Sequence, residues 1–197
     1  MRVLIACEFS GVVREAFRKR GHDAWSCDLI PSLDNSPYHL ICDVLTILDQ
    51  RWDMMIAFFP CDRLLGAGAL HWKKWQASGE QQRAIEFALK LLNAPIDKIA
   101  AENPVGILST VYRKPDQIIQ PYQFGHMEQK KTCLWLNNLK KLVPTNDVYE
   151  EMMKLPKRER ERVHHESPGI KNGLTRSQRR AICFPGWAEA FAEQWGR

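Results

Sequence analysis

The sequence lacks the features that define several common protein classes. Its six cysteines form no CxxC pair, and several of them lie inside apolar runs such as VLIAC and HLICDV. This pattern is typical of buried thiols in a reducing compartment and argues against a disulfide framework or a zinc cage. No apolar run approaches the roughly 20 residues of a membrane span, and the first run is too short for a secretory signal. We therefore expect a cytoplasmic protein without membrane contact or a metal site.

Internal repeats, low-complexity linkers and the phosphate-binding fingerprint GxGxxG are also missing from the sequence. The 197 residues fit a single domain, and 45% hydrophobic with 26% charged residues is the composition of an ordinary globular protein. Without the fingerprint, a dinucleotide is not favoured as a ligand, and a zwitterionic or ribose-bearing molecule fits better.

Short apolar runs alternate with helical patterns along the first part of the chain. Five runs predict strands, at 2–8, 23–29, 38–44, 52–59 and 97–103. Two amphipathic patterns predict helices, at 11–21 and at 78–95, the second with Ser78 as its cap. Apolar strands that alternate with helices predict an α/β fold with a parallel sheet covered on both faces.

The pattern changes after residue 115. The stretches DQIIQPYQFG and KKTCLWLNN predict two closely spaced strands that form an antiparallel edge pair. Residues 139–174 are polar and basic, and they predict a small insertion. Residues 175–197 predict a short helix, a Phe-Pro-Gly turn and a terminal helix that packs back on the N-terminal strand. We expect one domain over residues 1–197.

Polar side chains follow the predicted strands at the points where these end. They are Glu8, Asp28, Asp43, Cys61 after Pro60, and Glu102. In an open parallel sheet, ligands bind outside the carboxyl ends of the strands, so we expect these residues to share one rim. Gly11 would let the backbone approach a ligand, Asp28 would bind ribose hydroxyls and Asp43 an adenine amine. Simple strand-ending turns are the alternative for both aspartates.

Cys61 stands in the stretch IAFFPCDR, at the end of a buried strand. A small core residue is one interpretation of such a cysteine. The other is a nucleophile.

In their order, these motifs resemble those of S-adenosylmethionine-dependent DNA cytosine-5 methyltransferases, in particular the short phage- and prophage-borne members. The matching elements are FSG after the first strand, the aspartate after the second, CDV, PC, ENP and the terminal FPGWAEAFAEQW. The resemblance implies a Rossmann-like methyltransferase fold, S-adenosylmethionine as cofactor, and DNA, duplex or single-stranded, as partner. It also implies methylation of cytosine carbon 5.

The same resemblance implies roles for single residues. Cys61 would attack carbon 6 of cytosine, because carbon 5 is a poor nucleophile until a thiolate adds beside it. Glu102 would contact N3 and the amine and donate a proton at N3. The cofactor would be held by a further set: Phe9, Ser10, Gly11, Asp28, Asp43, Pro60 and Trp187, with Phe184 beside the last. Core packing is the alternative for Trp187.

The chain also departs from the family pattern. Phe59 stands where a second proline is usual, and Asp62 would raise the pKa of the Cys61 thiol unless Arg63 offsets it. The QxRxR motif has no clear counterpart; Lys130 and Lys131 are the nearest cations.

The charge of the chain, with 28 Lys and Arg against 23 Asp and Glu, gives a net +5 that is concentrated between positions 154 and 180. We expect contacts with nucleic acid from Arg63, Trp72, Lys130, Lys131, Arg158, Arg160, Arg179 and Arg180. A solvated helix face is the alternative for the basic segment, and a loop pinned by tryptophans is the alternative for Trp72.

Two other functions stay open at this point. One is a catalytically weak protein of the same fold that binds DNA or another partner through its basic segment. The other is an enzyme that modifies a free pyrimidine nucleotide, which the small size of the insertion favours.

Overall fold

The computed structural model describes residues 1–197 apart from the side chain of Ala67, and its strands form one seven-stranded sheet. In chain order the strands are β1 (Arg2–Ala6), β2 (Asp23–Asp28), β3 (His39–Ile41), β4 (Met54–Ala57), β5 (Lys98–Pro104), β6 (Gln117–Ile119) and β7 (Thr132–Asn137). Their order in the sheet is β3-β2-β1-β4-β5-β7-β6. The first five are parallel, whereas β7 is antiparallel to both β5 and β6. The predicted class, a mostly parallel α/β sheet with an antiparallel edge pair, is confirmed.

The central strands are apolar at nearly every position because helices cover both faces of the sheet. All four residues of β4 are buried, as are the last four of β1. The predicted run 38–44 is longer than β3, since the chain leaves the sheet after Ile41 and turns at Asp43 into a 3₁₀ helix, Val44–Thr46.

Eight α-helices were assigned in the described residues: α1 (Val12–Arg18), α2 (Trp72–Ala77), α3 (Glu80–Leu92), α4 (Leu108–Val111), α5 (Tyr149–Met153), α6 (Lys157–Arg160), α7 (Arg176–Ala181) and α8 (Pro185–Trp195). The prediction that Ser78 caps α3 is wrong. Gly79 is the N-cap residue, with φ 72°, and the Ser78 hydroxyl donates instead to the Glu80 carboxylate at 3.1 Å. A left-handed residue at this point suits glycine because it has no Cβ.

The core lies in two layers, one on each face of the sheet. On one face α1 and α8 pack together, and Phe17, Phe191 and Trp187 share a cluster with Val3 and Ile5 of β1. On the other face α3 covers Leu4, Met55 and Trp135. Among the described residues, no helix is both long and apolar enough to cross a membrane.

The connectivity reverses between β1 and β4. From β1 the chain runs outward through β2 to β3, and then returns to β4 on the other side of β1. In doubly wound sheets the crevice at such a switch point, beyond the carboxyl ends of the strands, is where ligands bind. The residues that end β1, β2, β4 and β5 are therefore the ones whose geometry matters most.

Candidate active site at the carboxyl ends of the strands

The first half of the rim is formed by the ends of β1 and β2 and by the turn after β3. Cys7, directly after β1, has φ 57°, a conformation that residues other than glycine seldom adopt. Burial, and after it the charges of Asp28 and Asp43, raise the pKa of the Cys7 thiol to about 12. Both carboxylates thus act on one thiol, which places them on the same rim.

Asp28 and Asp43 each stabilise a turn, as the alternative interpretation expects. Oδ1 of Asp28 accepts a hydrogen bond from the Leu29 amide at 2.7 Å, and Oδ1 of Asp43 accepts one from the Leu45 amide at 2.9 Å. The turn bonds engage one oxygen of each carboxylate, and neither residue is buried. Turn formation and ligand binding are therefore compatible at both positions.

The loop between β1 and α1 contains a buried carboxyl group that the sequence marked only as a strand-ending residue. Glu8 is 4% exposed, and its Oε1 accepts a hydrogen bond from the Ser10 hydroxyl at 2.5 Å. Its Oε2 is buried and has no hydrogen-bond partner among the described residues. Burial raises the pKa of Glu8. An unpaired carboxyl oxygen at the switch point is a group that a ligand can satisfy.

Gly11 follows in the same loop with φ 78°. A Cβ at this position would lie 2.5 Å from Nη2 of Arg14, so the site requires glycine for both conformation and space. Arg14 is fully buried, donates to the Ser26 hydroxyl at 2.7 Å and forms an ion pair with Asp34. It thereby ties the loop after β2 to α1, a role that sequence reasoning missed because an arginine in a helix is usually exposed.

The second half of the rim is formed by the ends of β4 and β5. Pro60 is exposed and Cys61 is half-buried, and the carbonyl of Cys61 accepts hydrogen bonds from the amides of Leu64 and Leu65 at 2.9 and 3.0 Å. The thiol therefore stands at the first residue of a tight turn. Glu102 lies within β5, the neighbouring strand, and is 8% exposed.

Hydrogen bonds join the loops that carry these two residues. The Asn103 side chain donates to the Phe59 carbonyl at 3.2 Å, the Gly66 amide to the Val105 carbonyl at 3.0 Å, and the Ile107 amide to the Leu64 carbonyl at 2.8 Å. The loops approach so closely that a Cβ on Gly106 would lie 2.0 Å from the Leu64 carbonyl oxygen. Cys61 and Glu102 are therefore held in a fixed relative position.

Charges of both signs surround the thiol. Burial raises the pKa of Cys61, Glu102 and then Asp62 raise it further, and Lys130 and Arg180 lower it. Asp62 thus raises the pKa as expected, and Arg63 is not among the main charges that offset it. Arg63 donates to the Glu80 carboxylate at 2.7 Å and lies 4.6 Å over the ring of Trp75, so it holds α2 and α3 to the Cys61 turn.

Glu102 has one charged partner and no hydrogen-bond partner for its buried oxygen among the described residues. Nζ of Lys130 lies 3.7 Å from Oε1 of Glu102 and 5.7 Å from the Trp187 ring. Glu102 Oε1, Asn103 Oδ1 and Trp187 Nε1 are buried without a hydrogen-bond partner in the described part of the chain. Each such group costs about 1–3 kcal/mol when it stays unpaired, so a polar ligand is favoured here.

Carboxylates from both halves of the rim act on Cys183. Its thiol is buried and precedes α8. Burial is the largest cause that raises the pKa of this thiol, and the charges of Glu8 and Glu102 come next. Trp187, at 1% exposure, packs on Phe184 in the core beneath the Lys130–Glu102 pair. Phe9 is likewise buried, at 6% exposure. The sequence offered no signal for Cys183, because a lone cysteine before a helix is usually a core residue.

The residues predicted to contact nucleic acid differ in where they lie and how far they are exposed. Lys130 and Arg180 lower the pKa of the Cys61 thiol. Arg63 lies in the turn after Cys61, and Trp72 begins α2, where its buried Nε1 has no partner among the described residues. Lys131 and Arg158 are exposed. Arg160 is half-buried on α6.

Arg179 forms its hydrogen bonds within the basic segment, residues 154–180. It donates to the Glu166 carboxylate at 3.1 Å and to the carbonyls of Ser167 and Gly169 at 2.8 and 3.2 Å. Its side chain therefore folds the segment together.

Comparison with known proteins adds a distant structural likeness. No family model matches the chain, and no curated protein matches it by sequence. A solved structure of a candidate DNA modification methyltransferase encoded within a prophage of E. coli is similar, with 14% identity, a TM-score of 0.47 and 79% of this chain covered. The chain spans 55% of that protein's length. A likeness at this level carries no argument about activity.

Proposed function

We propose that the chain transfers a methyl group from S-adenosylmethionine to carbon 5 of cytosine in DNA, with Cys61 as nucleophile and Glu102 as acid. The observation that carries this proposal is the pairing of a half-buried thiol and a buried carboxylate on neighbouring strand ends. Their loops are hydrogen bonded, and Glu102 is the charged group with the largest effect on the pKa of Cys61. The motif order in the sequence supports the same assignment.

The first half of the rim fits the cofactor. Asp28 and Asp43 keep a carboxylate oxygen outside their turn bonds, for the ribose hydroxyls and the adenine amine. Gly11 leaves the backbone open to close approach, and Oε2 of Glu8 is a buried acceptor without a described partner. When bound, S-adenosylmethionine supplies an electrophilic methyl group on a sulfonium.

Cys61 performs the covalent step on the base. Its thiolate forms a bond to carbon 6, and the electron pair of the C5–C6 double bond shifts toward N3, which takes a proton from Glu102. Carbon 5 of the resulting enamine is the nucleophile that would take the methyl group supplied by the bound cofactor. Release of the C5 proton to solvent, return of the N3 proton to Glu102 and cleavage of the S–C6 bond then restore the aromatic ring, the acid and the thiolate.

Lys130 and Arg180 support this step electrostatically. Both lower the pKa of Cys61, which burial and two carboxylates raise. Lys130 also lies against Glu102, so its charge sits beside the ring nitrogen that gains electron density. These two cations, from distant parts of the chain, would do what the missing arginine motif does in longer family members.

The raised pKa of Cys61 favours one alternative, a catalytically weak protein that binds DNA or another partner through its basic segment. A thiol that is mostly protonated near neutral pH reacts slowly. Binding of DNA without any transfer of methyl groups would identify this case.

The experiment is transfer of a labelled methyl group from S-adenosylmethionine to duplex DNA, single-stranded DNA or deoxycytidine nucleotides. We expect label in DNA, as 5-methylcytosine, and none after Cys61→Ala. Label confined to free nucleotides would identify a nucleotide-modifying enzyme. Label in DNA at another atom would overturn the cytosine-5 assignment.

A further inference from the structure

Two cysteine side chains are in contact where β2 and β3 end. Sγ of Cys27, in β2, lies 3.6 Å from Sγ of Cys42, the residue that follows β3. The Cys27 thiol also donates to the Cys42 carbonyl at 3.4 Å. The strand register explains this contact, because Cys27 pairs with Leu40, and Cys42, two residues further along, faces the same side of the sheet. Both side chains pack in the apolar cluster on the α3 face of the sheet.

The two thiols differ in their access to solvent and in the freedom of their strands. Cys27 is fully buried, whereas Cys42 is half-buried, so a small oxidant reaches Cys42 first. A disulfide bond is about 2.05 Å long, so the sulfurs must approach each other by about 1.5 Å. β2 is hydrogen bonded to a strand on each side, but β3 has only three residues and lies at the edge of the sheet. Bond formation should therefore move the chain at Cys42.

Each of the two cysteines directly precedes an aspartate of the rim. Asp28 follows Cys27, and Asp43 follows Cys42. The Cys42 amide donates to the Asp28 carbonyl at 3.1 Å, so the peptide that would move is bonded to one of these aspartates. The turn that holds the Asp43 carboxylate, through the Leu45 amide, begins at the next residue. A shift of the chain at Cys42 therefore changes the spacing between the two carboxylates.

We propose that Cys27 and Cys42 are a site of reversible oxidation by a hydroperoxide, and that their disulfide lowers the affinity of the rim for S-adenosylmethionine. The inference rests on the proposed function, because it takes Asp28 and Asp43 as ligands of the cofactor. Oxidation would then stop methyl transfer without any change at Cys61.

The oxidation takes place in two steps. The Cys42 sulfur attacks one oxygen of the hydroperoxide, the O–O bond breaks, and the other oxygen leaves with the thiol proton, so that Cys42 becomes a sulfenic acid. The Cys27 sulfur then attacks the Cys42 sulfur, and the S–O bond breaks as water leaves with the Cys27 proton. In total the two thiols lose two electrons to the peroxide. Burial, and after it the hydrogen bond with Cys42, raises the pKa of Cys27, so we expect the second step to be the slower one.

The test treats the wild-type protein with hydrogen peroxide in the absence of cofactor. Trypsin then locates the bond, because residues 21–51 contain both cysteines and no lysine or arginine before Arg51, so the disulfide gives a single peptide that has lost two hydrogen atoms. Titration calorimetry compares the Kd of S-adenosylmethionine before and after oxidation. We expect the Kd to rise by about tenfold or more and dithiothreitol to restore it.

Two variants make the test specific. Cys42→Ser should bind the cofactor when reduced and keep its Kd after peroxide treatment. Cys61→Ala is the matched control, since Cys61 is likewise half-buried but follows β4. This variant retains the cysteine pair, so its Kd should rise on oxidation as in the wild-type protein.

Thermodynamic linkage provides a second readout, which general damage by peroxide would not produce. If the disulfide raises the Kd tenfold, saturating cofactor must favour reduction of the disulfide by the same factor. This factor corresponds to an increase of about 30 mV in the reduction potential, measured in buffers of reduced and oxidised dithiothreitol.

Several results would overturn this inference alone. They are the absence of the disulfide, a disulfide to Cys7 instead, which would join residues 3–14 to the peptide 21–51, and an unchanged Kd in the oxidised protein. An equal rise of the Kd in Cys42→Ser would have the same meaning. A reduced wild-type protein that binds no S-adenosylmethionine would overturn the proposed function, and this inference with it.

Discussion

At the scale of single residues, the chemistry depends on the thiol of Cys61. Burial and the carboxylates of Glu102 and Asp62 raise its pKa, and two cations lower it. Because only the thiolate attacks, the rate must rise with pH until the raised pKa is passed. The balance of charges at this one atom therefore sets the working range of the protein.

Replacing Asp62 by asparagine should shift the rise of activity to lower pH. The substitution removes a negative charge that raises the pKa of Cys61, so the thiolate is present at lower pH. Single-turnover methyl transfer measured from pH 6 to 10 checks this. Glu150→Gln on α5, an exposed acid far along the chain, is the control and should leave the profile in place. A profile of Asp62→Asn that coincides with wild type would show that another step, not thiol ionisation, governs the rate.

The sequence was sufficient to predict that Cys61 and Glu102 lie on neighbouring strand ends, but not which cations act on the Cys61 thiol. Cys61 and Glu102 could be placed side by side, because each ends a strand and successive parallel strands end at one edge. Lys130 was named only as the nearest cation to a missing arginine motif and Arg180 only as a contact to nucleic acid, yet both lower the pKa of the thiol. Contacts between such distant positions follow from tertiary packing, which local patterns do not specify.

At the scale of elements, the contact between the loops after β4 and β5 fixes the site. The peptide of Leu64 lies directly against Gly106, where no side chain fits. Strand-end loops gain rigidity from such contacts, and a misplacement of about 1 Å in an active site can cost roughly a hundredfold in rate.

Gly106→Ala should therefore reduce methyl transfer by at least tenfold while cofactor binding persists, because its Cβ would meet the Leu64 carbonyl oxygen at 2.0 Å and separate the loops. Gly66→Ala is the matched control in the same loop pair, since its Cβ would meet its nearest neighbour at 3.4 Å. Transfer kinetics and cofactor titration on both variants provide the measurement. Full activity of Gly106→Ala would mean that the loops are free to move apart.

The rim formed by β1, β2 and the turn after β3 should bind the cofactor independently of DNA. A ligand that binds only the native state stabilises it by RT ln(1 + [L]/Kd), about 2.7 kcal/mol at a hundredfold excess over Kd. S-adenosylmethionine should thus raise the melting temperature, and Asp28→Ala should remove most of the increase. Asp49→Ala, an exposed carboxylate before β4, should keep it. An unchanged melting curve with saturating cofactor would refute the assignment of this rim.

Element boundaries show where patterns in sequence stop being informative. The strands lie where apolar periodicity predicts them, and so do α1 and α3, the helices predicted at 11–21 and 78–95. Their boundaries differ, however, since β3 ends at Ile41 and α3 begins after Gly79. Both boundaries are set by backbone geometry, a capping turn at Asp43 and a left-handed glycine, which leave little trace in hydrophobic patterns.

At the scale of the whole molecule, the chain has a net charge of +5. Some of its basic side chains are free to contact a ligand, and others are bound within the protein. Arg158 is exposed on α6, whereas Arg179 binds Glu166 and backbone carbonyls inside the basic segment. The composition alone predicted both as phosphate ligands. Only the fold shows that Arg158 is free to contact a phosphate, whereas Arg179 is already bound within the protein.

The salt dependence of DNA binding tests this distinction. Each neutralised phosphate contributes a slope of about −0.9 to log K against log salt. Arg158→Ala should make the slope shallower by about 0.9 and leave the melting temperature unchanged, while Arg179→Ala should lower the melting temperature. Fluorescence anisotropy with labelled DNA between 50 and 300 mM salt provides the slopes. A slope near zero for the wild-type protein would favour the solvated-surface interpretation of residues 154–180.

The central claim is that Cys61 forms a covalent bond to cytosine during methyl transfer, and DNA that carries 5-fluorocytosine tests it most directly. Fluorine does not leave carbon 5 as a proton does, so the S–C6 bond cannot be released after methylation. With S-adenosylmethionine present, the account predicts an adduct that survives denaturation and maps to Cys61 by mass spectrometry. Cys61→Ala should form none while it still binds cofactor. Methylation of carbon 5 that persists in Cys61→Ala, without any adduct in the wild-type protein, would contradict the account.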